Sequence, residues 1–338
     1  GWNNGSVTVT FNASDTLSGI DGNSTEAETL TSEGVNQTVS RTFRDKAGNS
    51  NTAVLSGINI DITPPDIYGS TNSSNANGWY NNNVTVHFTA SDALSGIDTI
   101  TPDITASTEG INQSVNGTAI DKAGNSNTTV LSGINIDKTK PAITITSPES
   151  KDYLHSESIL LNFSASDMLS GIGSIPAYLD GNNVTNGQTI DLRNLALGNH
   201  TLVVSAYDRA ENSAGKSLTF IVKPLPAIVD VNLNRNTLDK SSNPKKPIEV
   251  YIEVQGYNVN AIDVATVTLN TANGSVPAQL SPVEFGDYDR DSIPDLMVTF
   301  DRRAVNAIVY AGDNVTVTIR GRLSGAIFEG SENIRVIE

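Results

Sequence analysis

Phe11-Asn12-Ala13-Ser14-Asp15-Thr16-Leu17-Ser18-Gly19-Ile20 is the stretch from which the rest of the chain can be read. It returns as Phe88-Thr89-Ala90-Ser91-Asp92-Ala93-Leu94-Ser95-Gly96-Ile97, and again as Phe163-Ser164-Ala165-Ser166-Asp167-Met168-Leu169-Ser170-Gly171-Ile172. Other pieces recur in the same order. Gly1-Trp2-Asn3-Asn4 matches Gly78-Trp79-Tyr80-Asn81, and Leu55-Ser56-Gly57-Ile58-Asn59-Ile60-Asp61 matches Leu131 to Asp137 letter for letter. The turn Asp45-Lys46-Ala47-Gly48-Asn49-Ser50 is unchanged at Asp121 to Ser126 and looser at Asp208-Arg209-Ala210-Glu211-Asn212-Ser213. Self-similarity of this kind marks a repeat architecture. Two units are near-duplicates and the third is a longer relative.

Within each copy the hydrophobic period is two. Val7, Val9 and Phe11 alternate with Ser6, Thr8 and Thr10; Val84, Val86 and Phe88 alternate with Thr85 and His87; Ile58, Ile60 and Ile62 alternate with Asn59 and Asp61. Such alternation places one strand face on a core and the other in water. Thr suits exposed strand faces, Asn and Ser suit turns, and helix formers do not cluster at helical spacing beyond about two turns. The expected fold class is all-β: tandem small sandwiches in an extended array, with a distinct fourth β domain. The expected domains are 1–64, 65–140, 141–224 and 225–338. Prolines punctuate the joints at Asp61-Ile62-Thr63-Pro64-Pro65, Asp137-Lys138-Thr139-Lys140-Pro141 and Lys223-Pro224-Leu225-Pro226. They fix φ and predict short stiff connectors, hence a rod.

Composition excludes several functions. The 338 residues hold 37 Asp+Glu against 21 Lys+Arg, a formal charge of −16, with no Cys and three His. That charge repels nucleic acid and anionic lipid. Without Cys there is no thiol catalysis, disulfide or Cys-ligated metal. No apolar run approaches the ~18 residues of a membrane span. The start at Gly1, without Met or a signal peptide, is expected of a mature or shortened piece.

Fourteen Asn-x-Ser/Thr sequons point outside the cell, to covalent N-glycans. They lie at Asn4, Asn12, Asn23, Asn36, Asn72, Asn83, Asn112, Asn116, Asn127, Asn162, Asn183, Asn199, Asn273 and Asn314. Asn12 and Asn162 flank strand-like apolar residues, so not every site is expected to be occupied. An Asn/Thr-rich β protein also makes sequons by chance.

The Phe-x-Ala-Ser-Asp-x-Leu-Ser-Gly-Ile string, the Asp-Lys-Ala-Gly-Asn turn and the Asp-x-Thr-x-Pro joint together resemble tandem immunoglobulin-like repeats of archaeal and bacterial cell-surface proteins, of the surface-layer or filament type. The resemblance covers about 1–224. Unit one departs from it: unit two has Pro65 to Asn77 ahead of its Gly-Trp, enough for a first strand, and unit one has nothing there. The expectation is that the parent chain continues upstream, or that an open sheet edge accepts a strand from another chain.

From Ala227 the repeat signatures stop. Strand-like stretches appear at Ile248–Val254, Val264–Leu269, Leu296–Phe300 and Val315–Ile319. Between two of them runs Gly286-Asp287-Tyr288-Asp289-Arg290-Asp291-Ser292-Ile293-Pro294-Asp295-Leu296. Asp287, Asp289, Asp291 and Asp295 fall at positions one, three, five and nine of a calcium loop, and the Ile293 carbonyl would supply position seven. Carboxylates this close repel unless a cation neutralises them, and oxygen-only ligands suit Ca²⁺. Position six is Ser292 rather than Gly, position eight is Pro294, and position twelve is Val298 rather than a bidentate Glu. The loop is similar to the Asp-rich calcium loops of extracellular β-propeller and dockerin-type modules. The stretch from about Val229 to Val336 is similar to a small β module that often ends secreted prokaryotic proteins. A solvated acidic turn is the plainer alternative.

Other acids have structural explanations. Asp15, Asp92 and Asp167 precede Ser-Gly turns and are expected to accept their own backbone N–H groups; Asp45, Asp121 and Asp208 start hairpin turns. Asp61 and Asp137 could clamp neighbouring domains through Ca²⁺, although neither joint is expected to hold a dense carboxylate cluster. Trp2, Trp79 and Tyr80 could stack on sugars but are expected in the core. No catalytic motif is present, so the chain reads as no enzyme. The expected function is a non-catalytic, extracellular, glycosylated segment of a surface-layer, stalk or self-assembling filament protein, stiffened by Ca²⁺ and partnered by itself or other surface proteins. The alternatives are an adhesin with a glycan- or cell-binding tip, and accessory domains of a secreted hydrolase.

Overall fold

The computed structural model describes residues 1–338, almost wholly as strands and turns, with one short α-helix, Arg302–Ile308. No helix is long and apolar enough to cross a membrane. The chain forms two compact units. One is Gly1–Pro141 with Ser166–Ser174 and Tyr207–Ser213; the other is Ala142–Ala165, Ile175–Ala206 and Ala214–Glu338.

In the first unit, the second repeat shows why the period of two matters. Asp66–Ser70, Val84–Ser91 and Ile104–Ala106 form one sheet, and Ser126–Ile136, Gly110–Asp121 and Ile97–Ile100 form the other. Val84, Val86 and Phe88 are buried from one sheet; Ala119, Ile134 and Ile136 meet them from the other. The intervening Thr85 points outward and meets the Thr105 hydroxyl at 3.3 Å; Thr118 and Thr128 meet at 3.0 Å on the other sheet. Cross-strand Thr pairs of this kind tie neighbouring strands on the wet face.

The first repeat has the smaller core of Phe11, Val39, Ile58 and Ile60. Val7–Asn12 pairs only with Thr25–Leu30, whereas its counterpart Val84–Ser91 also pairs with Asp66–Ser70. Trp2–Asn3 adds a short parallel pairing to Ser50–Ile60. Trp2, Trp79 and Tyr80 are half-buried rather than fully in the core, and the Tyr80 hydroxyl donates to the Asn72 carbonyl at 2.7 Å.

In the second unit, the body of the third repeat buries Leu161, Phe163, Leu202, Val204 and Phe220. The last module packs two sheets around Val250, Ile252, Val267, Val298, Phe300 and Phe328. Its strands run longer than the apolar stretches suggest: Ile262–Thr271, Gly312–Leu323 and Ala326–Ile337. Gly330, Ser331, Glu332 and Asn333 interrupt the apolar pattern of the last strand, yet its pairing with Gly312–Leu323 continues through them. His155 joins the third repeat to this module. Its Nδ1 accepts the Ile327 N–H at 3.0 Å, so Nε2 carries the proton and donates to the Leu195 carbonyl at 3.1 Å. Ser156 and Tyr257 meet through their hydroxyls at 2.7 Å.

Gly117 lies under the Phe88 ring, where an added Cβ would come within 2.4 Å of ring carbons. Gly117→Ala is therefore expected to cost about 1–3 kcal/mol through overpacking, read as a lower melting temperature of the full chain. Melting at the wild-type temperature would mean that the ring moves aside freely.

Candidate metal centres at the joints and in the acidic loop

The first joint begins with Asp61, completely buried at the end of the strand Ser50–Ile60. Glu33, from the same repeat, accepts the Ile62 N–H and the Thr63 hydroxyl at 2.7 and 2.8 Å. The next repeat holds the other side. The Ser95 N–H donates to Asp61 Oδ2 at 2.9 Å, and the Asn125 amide donates to the Asp61 carbonyl at 2.8 Å. Asn125 is fixed in turn by Asp121, which accepts its side-chain amide at 2.8 Å and three backbone N–H groups.

The second joint repeats the arrangement. Asp137 Oδ2 accepts the Ser170 N–H at 2.9 Å, and the Asn212 amide donates to the Asp137 carbonyl at 2.9 Å and to Asp208 at 2.8 Å. Glu109 takes the place of Glu33, accepting the Lys138 N–H and the Thr139 hydroxyl. In the first repeat the equivalent Ser18 N–H goes instead to its own turn acid, Asp15, at 2.7 Å.

This latch gathers carboxylates that lie far apart in sequence. Asp61, Asp92 and Asp121 each bring an oxygen within 4.8 Å of the others, and so do Asp137, Asp167 and Asp208. The expectation that neither joint holds a dense carboxylate cluster is therefore corrected. The turn acids, read singly as backbone caps, fold against the end of the preceding repeat. Asp92 does both: its Oδ1 caps the Leu94 and Gly96 N–H groups, and one of its oxygens belongs to the cluster. Beside the first triad, Glu33, Asp61, Asp66 and Asp92 line a cleft of about 350 Å³.

Donors largely satisfy these acids. Burial pushes the Asp61 carboxyl up, but hydrogen bonds from Ser95 and Thr63 outweigh it, leaving the group below its ordinary value of 3.8. A depressed carboxylate contributes stability above the unfolded value and loses it as pH falls through the folded one.

The acidic loop is in the opposite condition. It connects Gln279–Gly286 to Asp295–Phe300, with Arg290 and Ser292 at φ 68° and 76°. Ser292 thus adopts the left-handed turn that Gly would otherwise supply. The four predicted acids come together. Asp287, Asp289 and Asp295 form one group within 4.8 Å, and Asp289 joins Asp291 in another. Each accepts a single backbone N–H: Asp287 from Ser292, Asp289 from Asp291, Asp291 from Ile293, and Asp295 from Tyr288. Ile293 is half-buried within the loop. None of the four acids forms an ion pair with Lys, Arg or His. Burial raises the Asp295 carboxyl, as do the charges of Asp289, Asp291 and Asp287, against the Tyr288 hydrogen bond.

The second group also contains Glu253, which sequence reading missed. It is 1% exposed, and neither carboxylate oxygen has a hydrogen-bond partner. Burial raises its carboxyl, and the charges of Asp291, Asp289 and Asp295 add to the shift. Nothing in sequence marks it: in Ile248-Glu249-Val250-Tyr251-Ile252-Glu253 it occupies the polar phase of an alternating strand. The full donor set is oxygen, which fits a hard cation such as Ca²⁺.

All fourteen sequon asparagines are exposed, Asn12 and Asn162 included, so burial excludes none of them. Asn127 and Asn273 use their side-chain amides in hydrogen bonds to the Pro65 and Ile308 carbonyls.

A family described as bacterial Ig domain matches residues 141–204. No curated protein matches the chain. Among solved structures, the fibronectin(III)-like modules of Clostridium thermocellum CbhA match at 17% identity, over 46% of this chain and 94% of that one, with a TM-score of 0.26. A Ca²⁺-stabilized adhesin with which an Antarctic bacterium binds ice matches at 15% identity, over 99% and 94%, with a TM-score of 0.28. Protocadherin Gamma B7 extracellular cadherin domains 1–4 match at 11% identity, over 97% and 92%, at 0.31. Scores this low carry no functional argument.

Asn125→Ala would leave the Asp61 carbonyl without its side-chain donor and is expected to cost about 1–3 kcal/mol. Faster amide exchange at Ser95 would report the opened joint. Asn49→Ala should cost less, because Asn49 bonds only to Asp45 in its own turn. Equal costs for the two variants would sink the latch. Acid is expected to loosen the first joint only below about pH 4, the ordinary range of the Asp61 carboxyl.

Proposed function

We propose that the chain is a non-catalytic extracellular structural protein: a glycosylated segment of a surface-layer, stalk or self-assembling filament protein, stiffened by Ca²⁺. The observation that carries this reading is the repeated joint. Each is closed by a buried Asp of one repeat, held by a Ser N–H and an Asn amide of the next. Bonds of this kind fix neighbouring modules to one another, which is what a load-bearing array needs and a flexible tether does not.

In this reading, Asp287, Asp289, Asp291, Asp295 and the Ile293 carbonyl hold Ca²⁺ in the last module. Asp61 and Asp137 with their partner acids are auxiliary sites, weaker because backbone donors already offset their charge. Exposed sequons carry glycans, and contacts to further copies or to other surface proteins complete the assembly.

The chain is expected to melt at a higher temperature in millimolar Ca²⁺ than in chelator. The added folding stability should be about 2.7 kcal/mol if the free ion stands a hundredfold above its dissociation constant. A melting temperature indifferent to chelator ends the calcium part of the proposal, and glycan-free protein from the native source ends the glycoprotein part. Electron microscopy in Ca²⁺ then separates ordered filaments or sheets from dispersed particles, a self-assembling subunit from a stalk.

A further inference from the structure

We propose that Glu253 is a ligand of the cation bound by the Asp287–Asp295 loop, supplying from a neighbouring strand the carboxylate that position twelve of the loop lacks. The inference rests on the calcium reading above and names a residue outside the loop.

Position twelve is Val298, fully buried in the hydrophobic core, so the loop's own chain cannot complete the ligand set there. Strand register shows what can. Ile252 stands opposite Leu296, and both side chains belong to the core. The next pair along, Glu253 and Asp295, therefore shares the other face of the sheet, the face from which the loop rises. Glu249 and Tyr251, the preceding residues of that strand outside the core alternation, are only half-buried. Glu253 is covered, and its carboxylate lies within 4.8 Å of the Asp289 and Asp291 oxygens.

A carboxylate at 1% exposure with both oxygens unpaired is rare, because burying an unpartnered charge is strongly unfavourable. Two further carboxylates lie within 4.8 Å of it, and no Lys or Arg pairs with it. A divalent cation among these groups adds an attraction to each carboxylate that outweighs their mutual repulsion. It also explains why the acid is an advantage in a strand where an apolar residue would pack without penalty. The ion would then join the loop to the strand Ile248–Glu253 as well as closing the loop on itself.

The test is titration of the full chain with Ca²⁺ and with Tb³⁺, whose luminescence nearby tyrosines excite. Tyr251 and Tyr288 stack at 4.4 Å and, with Asp289 and Asp295, line the same small hollow. The signal that Asp287→Asn abolishes defines the loop's share, separating it from any binding at the joints. Glu253→Gln is expected to weaken that share at least roughly tenfold and, in chelator, to melt at or above the wild-type temperature. Glu249→Gln, on the same strand, is expected to bind as wild type. If the loop binds and Glu253→Gln binds equally well, the assignment of Glu253 is overturned while the calcium loop stands. A Glu253→Gln chain that fails to fold, or melts lower in chelator, overturns it too, since the carboxylate would then serve the metal-free fold. If wild type gives no signal that Asp287→Asn removes, the calcium loop and the role of Glu253 fall together.

Discussion

A buried carboxylate at the end of a strand has to find donors, and the two joints of the first compact unit are organised around that need. Asp61 and Asp137 have no exposure at all. The donors they find belong to the following repeat, so satisfying the acid and attaching the next module are one event. The repeated features of the sequence serve this contact. The Ser-Gly turn presents an N–H, the Asp-x-x-x-Asn turn presents an amide, and the Glu of the preceding repeat holds the peptide that leads into the proline. Folded modules on either side are the condition for the contact to form.

The same chemistry in the acidic loop leads to a different state. At the joints, backbone and amide donors outnumber the charges, and the Asp61 carboxyl is held below its ordinary value despite burial. In the loop each Asp has one backbone donor, Glu253 has none, and burial with mutual repulsion raises Asp295 and Glu253. Acid clusters of similar density thus differ in what they lack. The first kind is nearly satisfied by the protein's own donors; the second is left short of them. Counting donors, rather than counting carboxylates, is what separates them.

Much of this could be read from sequence, because the signals were periodic or repeated. Val84, Val86 and Phe88 announced a half-buried strand, and Asp287, Asp289, Asp291 and Asp295 announced their own convergence by spacing. The joint clusters were not legible, although each member was noticed. Asp61, Asp92 and Asp121 meet only through the way one repeat seats against another, and single-repeat turn chemistry gave each a sufficient local explanation. Glu253 was invisible for a related reason. An acid in the outward phase of a strand normally faces water, and here the covering loop comes from a distant part of the chain. Asn12 and Asn162, next to apolar residues in sequence, lie on the solvent side of their strands.

The second repeat carries both halves of the latch, the donors Ser95 and Asn125 for the repeat before it and the acceptor Asp137 at its end for the repeat after it. A segment copied from one Asp-x-Thr joint to the next therefore arrives with both ends already compatible with its neighbours, as the near-identity of the first two repeats illustrates. Such an array can lengthen or shorten by whole repeats through unequal recombination without any new interface having to evolve. The number of modules becomes a variable that selection can tune independently of what any one module looks like.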